Sequence, residues 1–427
     1  MRYGLIGEHL PHSFSKEIHA LCADYTYELH ELPPHAVADF MTSADFSAIN
    51  VTIPYKSAVM PYLHHIHPHA AAIGAVNTVV NMDGKLYGYN TDFYGMSALI
   101  RLLGIDPTGK KALILGGGGT AKTAHAVLTH MGASEVLVVG RQTTPHSISY
   151  AEAYAHHTNA QIIVNTTPCG MYPYPDGADH IKGTPIDITA FPHLCGVVDA
   201  VYNPLRTNLV LDAMAQGIPA MGGLYMLVAQ AVMASLIFRG ELDTAFGDEA
   251  KMDAMARDIY QKIWCDKENI VLTGMPGSGK STVGQALSDA LGRPFVDTDE
   301  LIVAKAGKPI PQIFAEVGEA GFRDLESLVV KEVANAYAGY VIATGGGAIL
   351  RAENVRALRR SGRLYFLNRP LEKLLPTPDR PLASSAEAIT ARFNERYHIY
   401  LSTADVEVVT DEVVEHTINT IREDFFS

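Results

Sequence analysis

The stretch Gly274-Met-Pro-Gly-Ser-Gly-Lys280-Ser281 fits the phosphate-binding pattern G-x-x-x-x-G-K-[ST]. It follows the apolar run Asn269–Thr273, which predicts a buried strand, and it precedes residues 282–291, whose spacing is helical. The backbone N–H groups of such a loop close on phosphates at the positive end of the helix dipole. Lys280 would reach the outer phosphates, and the Ser281 hydroxyl would bind Mg²⁺. We predict a nucleotide-binding α/β domain with further contacts from Gly277, Ser278, Gly279 and Thr282.

The size and charge of the chain limit what it can be. With 427 residues, more than 260 of them before the phosphate-binding loop, there is room for two or three domains and for another complete enzyme. The net charge of −13 disfavours nucleic acid and acidic membranes as partners, so local Arg and Lys clusters would have to hold any anionic substrate. The four cysteines are scattered and form no C-x-x-C pair, which is typical of a reduced, cytoplasmic protein.

One uncharged segment raises the question of a membrane span. Residues 220–238 are mostly apolar, but they include two glycines, Gln230 and Ser235, and they have no basic flank on the N-terminal side. We therefore expect a buried helix. Residues 1–7 form too short a run for a signal peptide. We expect no association with a membrane, and the oligomeric state, monomer or homodimer, stays open.

A second glycine loop lies at Gly116-Gly-Gly-Gly-Thr-Ala-Lys122. It follows the apolar strand pattern Lys111–Leu115, opens a helical stretch at 122–131 and leads to a second apolar strand at 135–139. This order predicts the βαβ unit of a Rossmann domain, in which a pyrophosphate approaches the helix N-terminus. The second strand ends on Arg141, and an arginine there favours the 2′-phosphate of NADP where a carboxylate would favour NAD. The predicted NADPH/NADP contacts are Gly116, Gly118, Gly119, Thr120, Ala121, Arg141 and Thr166.

Several motifs of the first 264 residues, in this order along the chain, resemble those of shikimate dehydrogenases. They lie at residues Tyr3–Gly7, 10–15, 50–56, 74–78, 88–92, 165–171, 199–205 and 223–230. In that family, hydride passes reversibly between NADPH and the C3 carbonyl of 3-dehydroshikimate. The resemblance implies an α/β substrate-binding domain ahead of the NADP-binding domain.

The resemblance also implies roles for individual residues. The carbonyl oxygen gains negative charge as hydride arrives, so Lys56 would supply a cation and a proton, and Asp92 would orient it. Ser13 and Ser15 match the serine pair that binds the substrate carboxylate. Thr52, Asn77 and Gln230 would hydrogen-bond the ring hydroxyls, and Tyr202 would lie at the rim of the site. Taken singly, a Lys–Asp pair is usually a surface ion pair, and paired serines are usually turn or cap residues.

Two features depart from the family pattern. Residues 140–145 keep Arg141 but lack the second basic residue that the family often has nearby, and the stretch before Asn165 is short, as if a strand or helix were trimmed. A quinate/shikimate dehydrogenase, which would use NAD and turn over quinate, is an alternative. Arg141 argues against it.

Four histidines, His64, His65, His67 and His69, lie close together in the sequence. The flanking pattern predicts a turn that enters a helix, whereas zinc sites combine ligands with helical or hairpin spacing in a closed geometry. We expect these side chains to be exposed to solvent and not to form a metal site.

Residues 268–427 have the length of one nucleoside-monophosphate-kinase-like domain. Besides the phosphate-binding loop, they contain motifs at 294–299, 313–326, 341–348, 380–382 and 396–400 that together resemble shikimate kinases. In that family, ATP donates its γ-phosphoryl group to the 3-hydroxyl of shikimate. This reaction depends mainly on positioning and charge neutralisation.

The second resemblance implies roles as well. Lys280 and Mg²⁺ on Ser281 would serve the phosphates, and Asp297 would order the water ligands of the metal. Asp299, which we predict on the same strand face as Asp297, would hold the ring hydroxyls and take the attacking proton. Arg323 and Arg396 would bind the substrate carboxylate. Gly345, Gly346 and Gly347 would let the backbone come close to the substrate. Arg380 would belong to a lid that closes on the phosphates. The lid sequence 371–380 is shorter than expected and lacks the usual arginine before Arg380.

These expectations divide the chain into five segments. They are a substrate-binding domain at 1–104, a Rossmann NADP-binding domain at 105–215, helices that complete the dehydrogenase at 216–262, a linker at 263–268 and a kinase domain at 269–427. We predict a bifunctional enzyme that makes shikimate and then phosphorylates it. The alternative of a different class is that one half is a silent regulatory module. That alternative predicts the loss of a residue among Lys56, Asp92, Lys280 and Asp299, and all four are present.

Overall fold

The computed structural model describes residues 2–10, 13–173, 183–374 and 386–427, with the backbone alone for Ala386. Its contacts divide the chain into two units, Met1–Ile263 and Trp264–Ser427. The described residues form two sheets in the first unit and one sheet in the second. The α/β class predicted from the sequence is confirmed for both units.

The first sheet is mixed. Its strands are β1 (Tyr3–Gly7), β2 (Tyr27–Glu31), β3 (Ala48–Val51), β4 (His65–Ile66), β5 (Thr78–Met82) and β6 (Lys85–Tyr89). They lie in the order β2-β1-β3-β5-β6-β4, with β3/β5 and β5/β6 antiparallel and the other pairs parallel. The neighbouring helices are α1 (Ser15–Cys22), α2 (Val37–Ser43), α3 (Pro68–Ile73) and α4 (Asp92–Leu102). Strand β3 is buried at every residue, so the loop that follows it starts from the core.

The second sheet is parallel throughout. Its strands are β7 (Lys111–Leu115), β8 (Glu135–Gly140), β9 (Ile148–Ser149), β10 (Ile162–Asn165), β11 (Gly196–Asp199) and β12 (Ala220–Met221). The helices are α5 (Gly119–His130), α6 (Tyr150–His156) and α7 (Asn208–Ala215). The order β9-β8-β7-β10-β11-β12 is the doubly wound one, and its switch point lies between β7 and β10, where the glycine loop follows β7. The short stretch before Asn165 contains both a strand and a helix, β9 of 2 residues and α6 of 7 residues.

Three helices follow, α8 (Leu224–Phe238), α9 (Leu242–Gly247) and α10 (Glu249–Lys267). Helix α8 is apolar on every side, is almost fully buried and packs against α1 and α4. The buried helix predicted at 220–238 is therefore confirmed from Leu224 onward, whereas Ala220 and Met221 form β12. Within the part of the chain that the structure describes, no helix has the length and apolar character needed to cross a membrane. The segment 263–268 is helical as far as Lys267, and the division between the two units falls inside α10.

The sheet of the second unit is also parallel. Its strands are β13 (Asn269–Thr273), β14 (Phe295–Asp297), β15 (Val341–Ala343), β16 (Gly362–Asn368) and β17 (Val406–Val409). The helices are α11 (Lys280–Leu291), α12 (Thr298–Ala306), α13 (Ile310–Ala336), α14 (Ala352–Ser361), α15 (Ala386–Thr403) and α16 (Val414–Phe425). The order β14-β15-β13-β16-β17 places the fully buried β13 in the centre, as its apolar run predicted. The phosphate-binding loop therefore leaves the carboxyl end of the central strand.

Candidate active sites

Lys56 and Asp92 form an ion pair in the first unit. Lys56 lies in the loop after β3, Asp92 is the first residue of α4, and Lys56 Nζ is 2.6 Å from Asp92 Oδ2. The side chains are only 14% and 9% exposed, whereas an ordinary surface ion pair is open to solvent and contributes little. Because solvent screens a buried pair less, Asp92 holds the lysine ammonium in a defined position.

The same lysine lies beside the glycine loop that opens α5. A Cβ built on Gly119 would be 3.8 Å from Lys56 Cδ. Helix α5 begins at Gly119, and no side chain among the described residues caps it, so its first N–H groups can bind an anion. Thr120 and Ala121 belong to this first turn. The fold therefore places a buried ammonium group next to a candidate phosphate-binding loop.

Gly116 shows why the loop needs a glycine. Its φ is +99°, and a Cβ there would lie 2.9 Å from Thr167 Cγ2 and 3.1 Å from Thr166 Oγ1. Thr166 is fixed because its hydroxyl donates to the Leu115 carbonyl at 2.7 Å. Arg141 directly follows β8 and is exposed. The narrow approach of two loops at the switch point, with a helix N-terminus beside it, fits a dinucleotide.

Asn77, Thr91 and Gln230 form a buried polar cluster. Thr91 directly precedes Asp92 in the sequence. Asn77 Nδ2 donates to Thr91 Oγ1 at 3.0 Å and to Gln230 Oε1 at 3.4 Å, and Asn77 Oδ1 accepts from the Thr91 N–H at 2.7 Å. Gln230 lies on α8, so the packing of α8 against α4 brings it to this cluster. Thr91 was not among the predicted contacts. The available sequence signal was its position inside the motif 88–92.

The predicted carboxylate-binding serines lie at the start of α1. Ser13 Oγ accepts from the Ser15 N–H at 3.2 Å, which is a local side-chain-to-backbone hydrogen bond typical of turns. Ser15 is buried. The ring of Phe14 lies 5.2 Å from the ring of Tyr202, measured between centroids, so Tyr202 borders this segment. Burial raises the pKa of Tyr202 and keeps its hydroxyl protonated. Thr52 is half-buried directly after β3.

Asp199 is fully buried at the end of β11. Its carboxylate accepts from Asn165 Nδ2 at 2.9 Å, from the Val201 N–H at 2.9 Å and from the Thr207 hydroxyl at 2.6 Å. These hydrogen bonds connect the last residue of β10 with the segment that follows β11. Burial raises the pKa of Asp199 to about 7, although the three hydrogen bonds act in the opposite direction.

We expect the substitution Asp199→Asn to remove a pH dependence of stability. Because the pKa in the folded state lies above the unfolded value of about 3.9, this carboxyl group makes the wild type less stable as the pH rises from about 4 to about 7. Asparagine does not titrate, and the Thr207 hydroxyl can turn to accept from the new amide. Between about pH 5 and about pH 8, the free energy of unfolding of the variant should therefore rise by roughly 1–4 kcal/mol relative to that of the wild type.

Calorimetric unfolding at about pH 5 and about pH 8 measures this difference. The transition of the first unit is identified by its shift on addition of NADP, since a ligand stabilises only the unit that binds it. Parallel pH profiles for Asp199→Asn and wild type would contradict the expectation.

The phosphate-binding loop of the second unit joins β13 to α11. Lys280 is buried, and its Nζ donates to the carbonyl oxygens of Gly274 at 2.9 Å and Met275 at 3.0 Å. Ser281 Oγ donates to Asp297 Oδ2 at 2.6 Å. A hydroxyl next to a carboxylate supplies the oxygen ligands that Mg²⁺ prefers, directly or through water, so this pair fits the predicted metal position. The other predicted nucleotide contacts are the buried Ser278, the half-buried Gly279 and the exposed Gly277 and Thr282.

The reason we gave for the proximity of Asp297 and Asp299 is wrong. Asp297 ends β14, but Asp299 lies in the first turn of α12, so the two residues do not share a strand face. Asp297 instead caps α12, because its Oδ1 accepts from the Asp299 N–H at 2.9 Å. This cap keeps both acids at the carboxyl end of the sheet.

The glycine run after β15 brings backbone against two buried arginines. A Cβ on Gly347 would overlap the guanidinium of Arg323, so no other residue fits there unless that group moves. The carbonyl of Gly346 accepts from Nη1 of Arg396 at 3.3 Å. Both arginines are almost fully buried, and burial lowers the pKa of Arg396 from its usual value. Close approach to Arg323 is thus the physical requirement for glycine at position 347.

Glu326 is a buried acid that our predicted site did not include. Its Oε2 accepts from Arg323 Nη1 at 2.7 Å, whereas its Oε1 has no hydrogen-bond partner among the described residues. Burial raises the pKa of Glu326, and the charge of Arg323 acts against this shift. A Cβ on Gly345 would meet Glu326 Oε1 at 2.9 Å and Asp299 Oδ1 at 2.5 Å, so both acids converge on one glycine. The sequence signal was the i,i+3 spacing of Arg323 and Glu326 on α13.

If the second unit binds shikimate, as its resemblance to shikimate kinases implies, Gly347→Ala should weaken that binding. The new methyl group would displace the Arg323 guanidinium from Glu326, and a charged hydrogen bond to a carboxylate is worth about 1.5–3 kcal/mol. The KM for shikimate should rise roughly 10- to 100-fold with little change in the KM for ATP. The double variant Gly347→Ala/Arg323→Ala should be no worse than Arg323→Ala alone, and additive losses would contradict this explanation.

Two further predictions concern residues away from these clusters. Arg380, the predicted lid residue, lies outside the described residues. His64, His65 and His69 are exposed as predicted, but His67 is half-buried because its ring stacks on Phe246, with the centroids 4.8 Å apart. In the described part of the chain, no group of three or more His, Cys, Asp or Glu residues could hold a metal ion.

Comparison with known proteins identifies both units. The family model "Shikimate dehydrogenase substrate binding domain" matches residues 5–79, and the family model "Shikimate kinase" matches residues 276–425. The shikimate dehydrogenase (NADP(+)) of Clostridium perfringens is 34% identical over 283 residues, which cover 62% of this chain and 98% of that protein.

Solved structures give the same result for the first unit. Shikimate dehydrogenase 1 from Peptoclostridium difficile is 31% identical with a TM-score of 0.53, and the match covers 61% of this chain and 99% of that one. The shikimate 5-dehydrogenase of Thermus thermophilus, solved in complex with NADP(H) and shikimate, is 27% identical with a TM-score of 0.50, over 61% of this chain and 99% of that one.

The folds and sites define a nicotinamide-dependent oxidoreductase joined to a P-loop kinase. The chain belongs to the shikimate dehydrogenase family, and its second unit is a shikimate kinase domain. It is a bifunctional enzyme of the shikimate pathway, and both resemblances seen in the sequence are confirmed. Its cofactors are those of the two families, NADP for the dehydrogenase and ATP with Mg²⁺ for the kinase.

Proposed function

We propose that the first unit reduces 3-dehydroshikimate to shikimate at the Lys56–Asp92 pair, and that the second unit phosphorylates shikimate at the loop that carries Lys280. The main supporting observation is the buried ion pair, whose lysine stem lies against the glycine loop at Gly119. A proton donor next to a dinucleotide loop is what the reduction of a ketone by a nicotinamide requires.

In the first reaction, bound NADPH supplies a hydride to the carbonyl carbon C3. Lys56 binds the carbonyl oxygen, where negative charge develops, and gives it a proton, so that the ketone becomes a hydroxyl group. Asp92, 2.6 Å from Lys56 Nζ, keeps the amine in place before and after the transfer. In the reverse direction the neutral amine takes the proton back.

The substrate of the first unit is held by neutral hydrogen-bonding groups. Ser13 and Ser15 bind the carboxylate at the start of α1, where the helix N-terminus adds to the attraction. The ring hydroxyls are bound by Asn77 and Gln230 together with Thr91, whose hydroxyl hydrogen-bonds to both of these side chains. Thr52 and Tyr202 complete the binding site.

In the second reaction, the residues of the second unit position the two substrates. Lys280 binds the outer phosphates of ATP, and Ser281 with Asp297 holds Mg²⁺. Asp299 orients the 3-hydroxyl of shikimate and takes its proton, and Arg323 and Arg396 bind the carboxylate. Glu326 keeps Arg323 in position through its hydrogen bond of 2.7 Å.

A coupled assay on the full chain tests this proposal. It contains 3-dehydroshikimate, NADPH and Mg·ATP, and it follows NADPH oxidation and ADP release together. We expect NADPH oxidation to need no ATP, and ADP release to need either both substrates of the first reaction or added shikimate. Comparable turnover of quinate with NAD would favour the quinate/shikimate dehydrogenase. ADP release at a rate that does not depend on shikimate would contradict the kinase assignment.

We retain the segments 1–104, 105–215 and 216–262 for the dehydrogenase, 263–268 as the junction and 269–427 for the kinase. The four cysteines are free thiols, three of them buried, which supports a reducing, cytoplasmic location. The net charge of −13 supports small molecules, not nucleic acid, as the partners.

A further inference from the structure

A second layer of polar residues lies behind Asn77. Tyr27, Asn50 and Thr78 are all buried. Asn50 Nδ2 donates to Thr78 Oγ1 at 3.1 Å, and Thr78 Oγ1 donates to Asn77 Oδ1 at 3.1 Å. On its other side, Asn50 Oδ1 accepts from the Tyr27 hydroxyl at 2.8 Å. A continuous series of hydrogen bonds therefore leads from Tyr27 to the proposed substrate contact Asn77.

Two backbone groups fix the direction of these hydrogen bonds. The Thr91 N–H can only donate, and its nitrogen lies 2.7 Å from Asn77 Oδ1. The Asn77 carbonyl can only accept, and it lies 3.2 Å from Asn50 Nδ2. Turning either side-chain amide over would place two donors or two acceptors against each other. The orientations of both amides therefore follow from the backbone.

This orientation decides what Asn77 offers to a ligand. With its oxygen held by Thr78 and Thr91, the Asn77 NH₂ group faces Thr91 Oγ1 at 3.0 Å and Gln230 Oε1 at 3.4 Å. The second of these contacts is long, so the NH₂ group retains capacity for a further acceptor. The opposite orientation would present a carbonyl oxygen in its place.

We propose that Thr78 and Asn50 are positioning residues that set the substituent selectivity of the dehydrogenase. The Thr91 N–H selects the orientation of the Asn77 amide, and Thr78 and Asn50 keep that amide in the position from which it presents a donor to a ring hydroxyl oxygen. This favours polyhydroxylated cyclohexene carboxylates over analogues that lack that hydroxyl. This inference rests on the proposed function of the first unit. Because a buried polar group is costly when unpaired, a series in which every member has a partner keeps a single arrangement.

The test compares Thr78→Val, Thr78→Ser and Ser97→Ala in the full chain. Valine has the shape of threonine without its hydroxyl, and serine restores the hydroxyl. Ser97 is a matched control, because it is a buried hydroxyl of the same unit that donates along its own helix to the Phe93 carbonyl at 2.8 Å. For Thr78→Val we expect the KM for shikimate to rise roughly 10-fold or more, with kcat and the KM for NADP changed less than about 3-fold.

Selectivity separates positioning from a general structural effect. In Thr78→Val, the preference for shikimate over an analogue that lacks one ring hydroxyl should fall by roughly the same factor as kcat/KM for shikimate, and Thr78→Ser should restore most of it. Isothermal titration with shikimate should show the same loss of affinity. Tyr27→Phe removes only the outermost hydroxyl of the series and should raise the KM for shikimate by roughly 2- to 5-fold, so it serves if Thr78→Val does not fold.

The outcomes are distinct. Equal effects of Thr78→Val and Ser97→Ala, or a loss of kcat at unchanged KM, would overturn the positioning role. So would unchanged selectivity in Thr78→Val while the wild type reduces 3-dehydroshikimate. A wild-type chain with no activity on 3-dehydroshikimate would instead count against the proposed function.

Discussion

Lys56→Ala should lower the NADPH-dependent reduction of 3-dehydroshikimate by roughly 10³- to 10⁴-fold and leave the kinase activity unchanged. The variant loses both the cation that stabilises the developing oxyanion and the proton that completes the reduction. Asp92 would also lose its counter-charge while still buried, so some loss of stability in the first unit is expected. The measurement is kcat for each reaction in the same preparation, with NADP binding as the check that the first unit is folded.

The control for this experiment is Lys85→Ala. Lys85 is an exposed lysine at the start of β6 in the same unit, and its loss should leave both activities near wild type. A second arm, Asp92→Asn, should lower the dehydrogenase rate while Lys56 is still present, because the amine is no longer held by a charge. Loss of the kinase reaction in a folded Lys56→Ala chain would show that the two sites do not act independently.

Lys280→Ala should abolish phosphoryl transfer, with a fall in kcat of roughly 10³-fold, and leave the reduction of 3-dehydroshikimate at the wild-type rate. The reason is electrostatic, since the lysine neutralises charge on the outer phosphates that builds up in transfer. Lys280 is buried against the carbonyl oxygens of Gly274 and Met275, so the loop is already shaped around its ammonium group. ADP release with added shikimate measures the effect.

The control here is Lys305→Ala, which removes an exposed lysine on α12 that pairs with Glu332. Such a surface pair contributes little, so both activities should persist. Near-normal ADP release from Lys280→Ala would contradict the role of the phosphate-binding loop. If Lys280→Ala also stopped NADPH oxidation in a folded chain, the assignment of one reaction to each unit would be wrong.

The local elements around both glycine loops could be predicted from the sequence. The strands Lys111–Leu115 and Asn269–Thr273 were predicted with the bounds they have, because a continuous apolar run before a glycine loop is typical of a buried parallel strand. The helix after each loop was also predicted, but both helices begin earlier than the apolar spacing indicated. The reason is that the first turn of a helix carries the phosphate-binding residues and is not apolar.

The candidate sites could be predicted only in part. Lys56, Asp92 and the phosphate-binding loop came from motifs. Thr91 and Glu326 did not enter the predicted set, because a position inside a motif or an i,i+3 spacing does not by itself show which neighbours a side chain meets. Asp299 was predicted for a wrong reason, since a helix cap and not a strand face brings it to Asp297. The need for glycine at position 347 follows only from the tertiary structure, because the Arg323 guanidinium occupies the space that a side chain there would take.

The sequence by itself determined the two enzyme families and the class of each fold, and it proposed most residues of the candidate sites, because local patterns of apolar residues, glycines and charges carry this information. The tertiary structure decided which of those residues meet and how far they are removed from water. Asn77 and Gln230 are 153 positions apart, and the buried Lys56 lies against Asp92 at the start of α4 and Gly119 at the start of α5. Contacts of this kind follow from long-range packing, which no local pattern encodes.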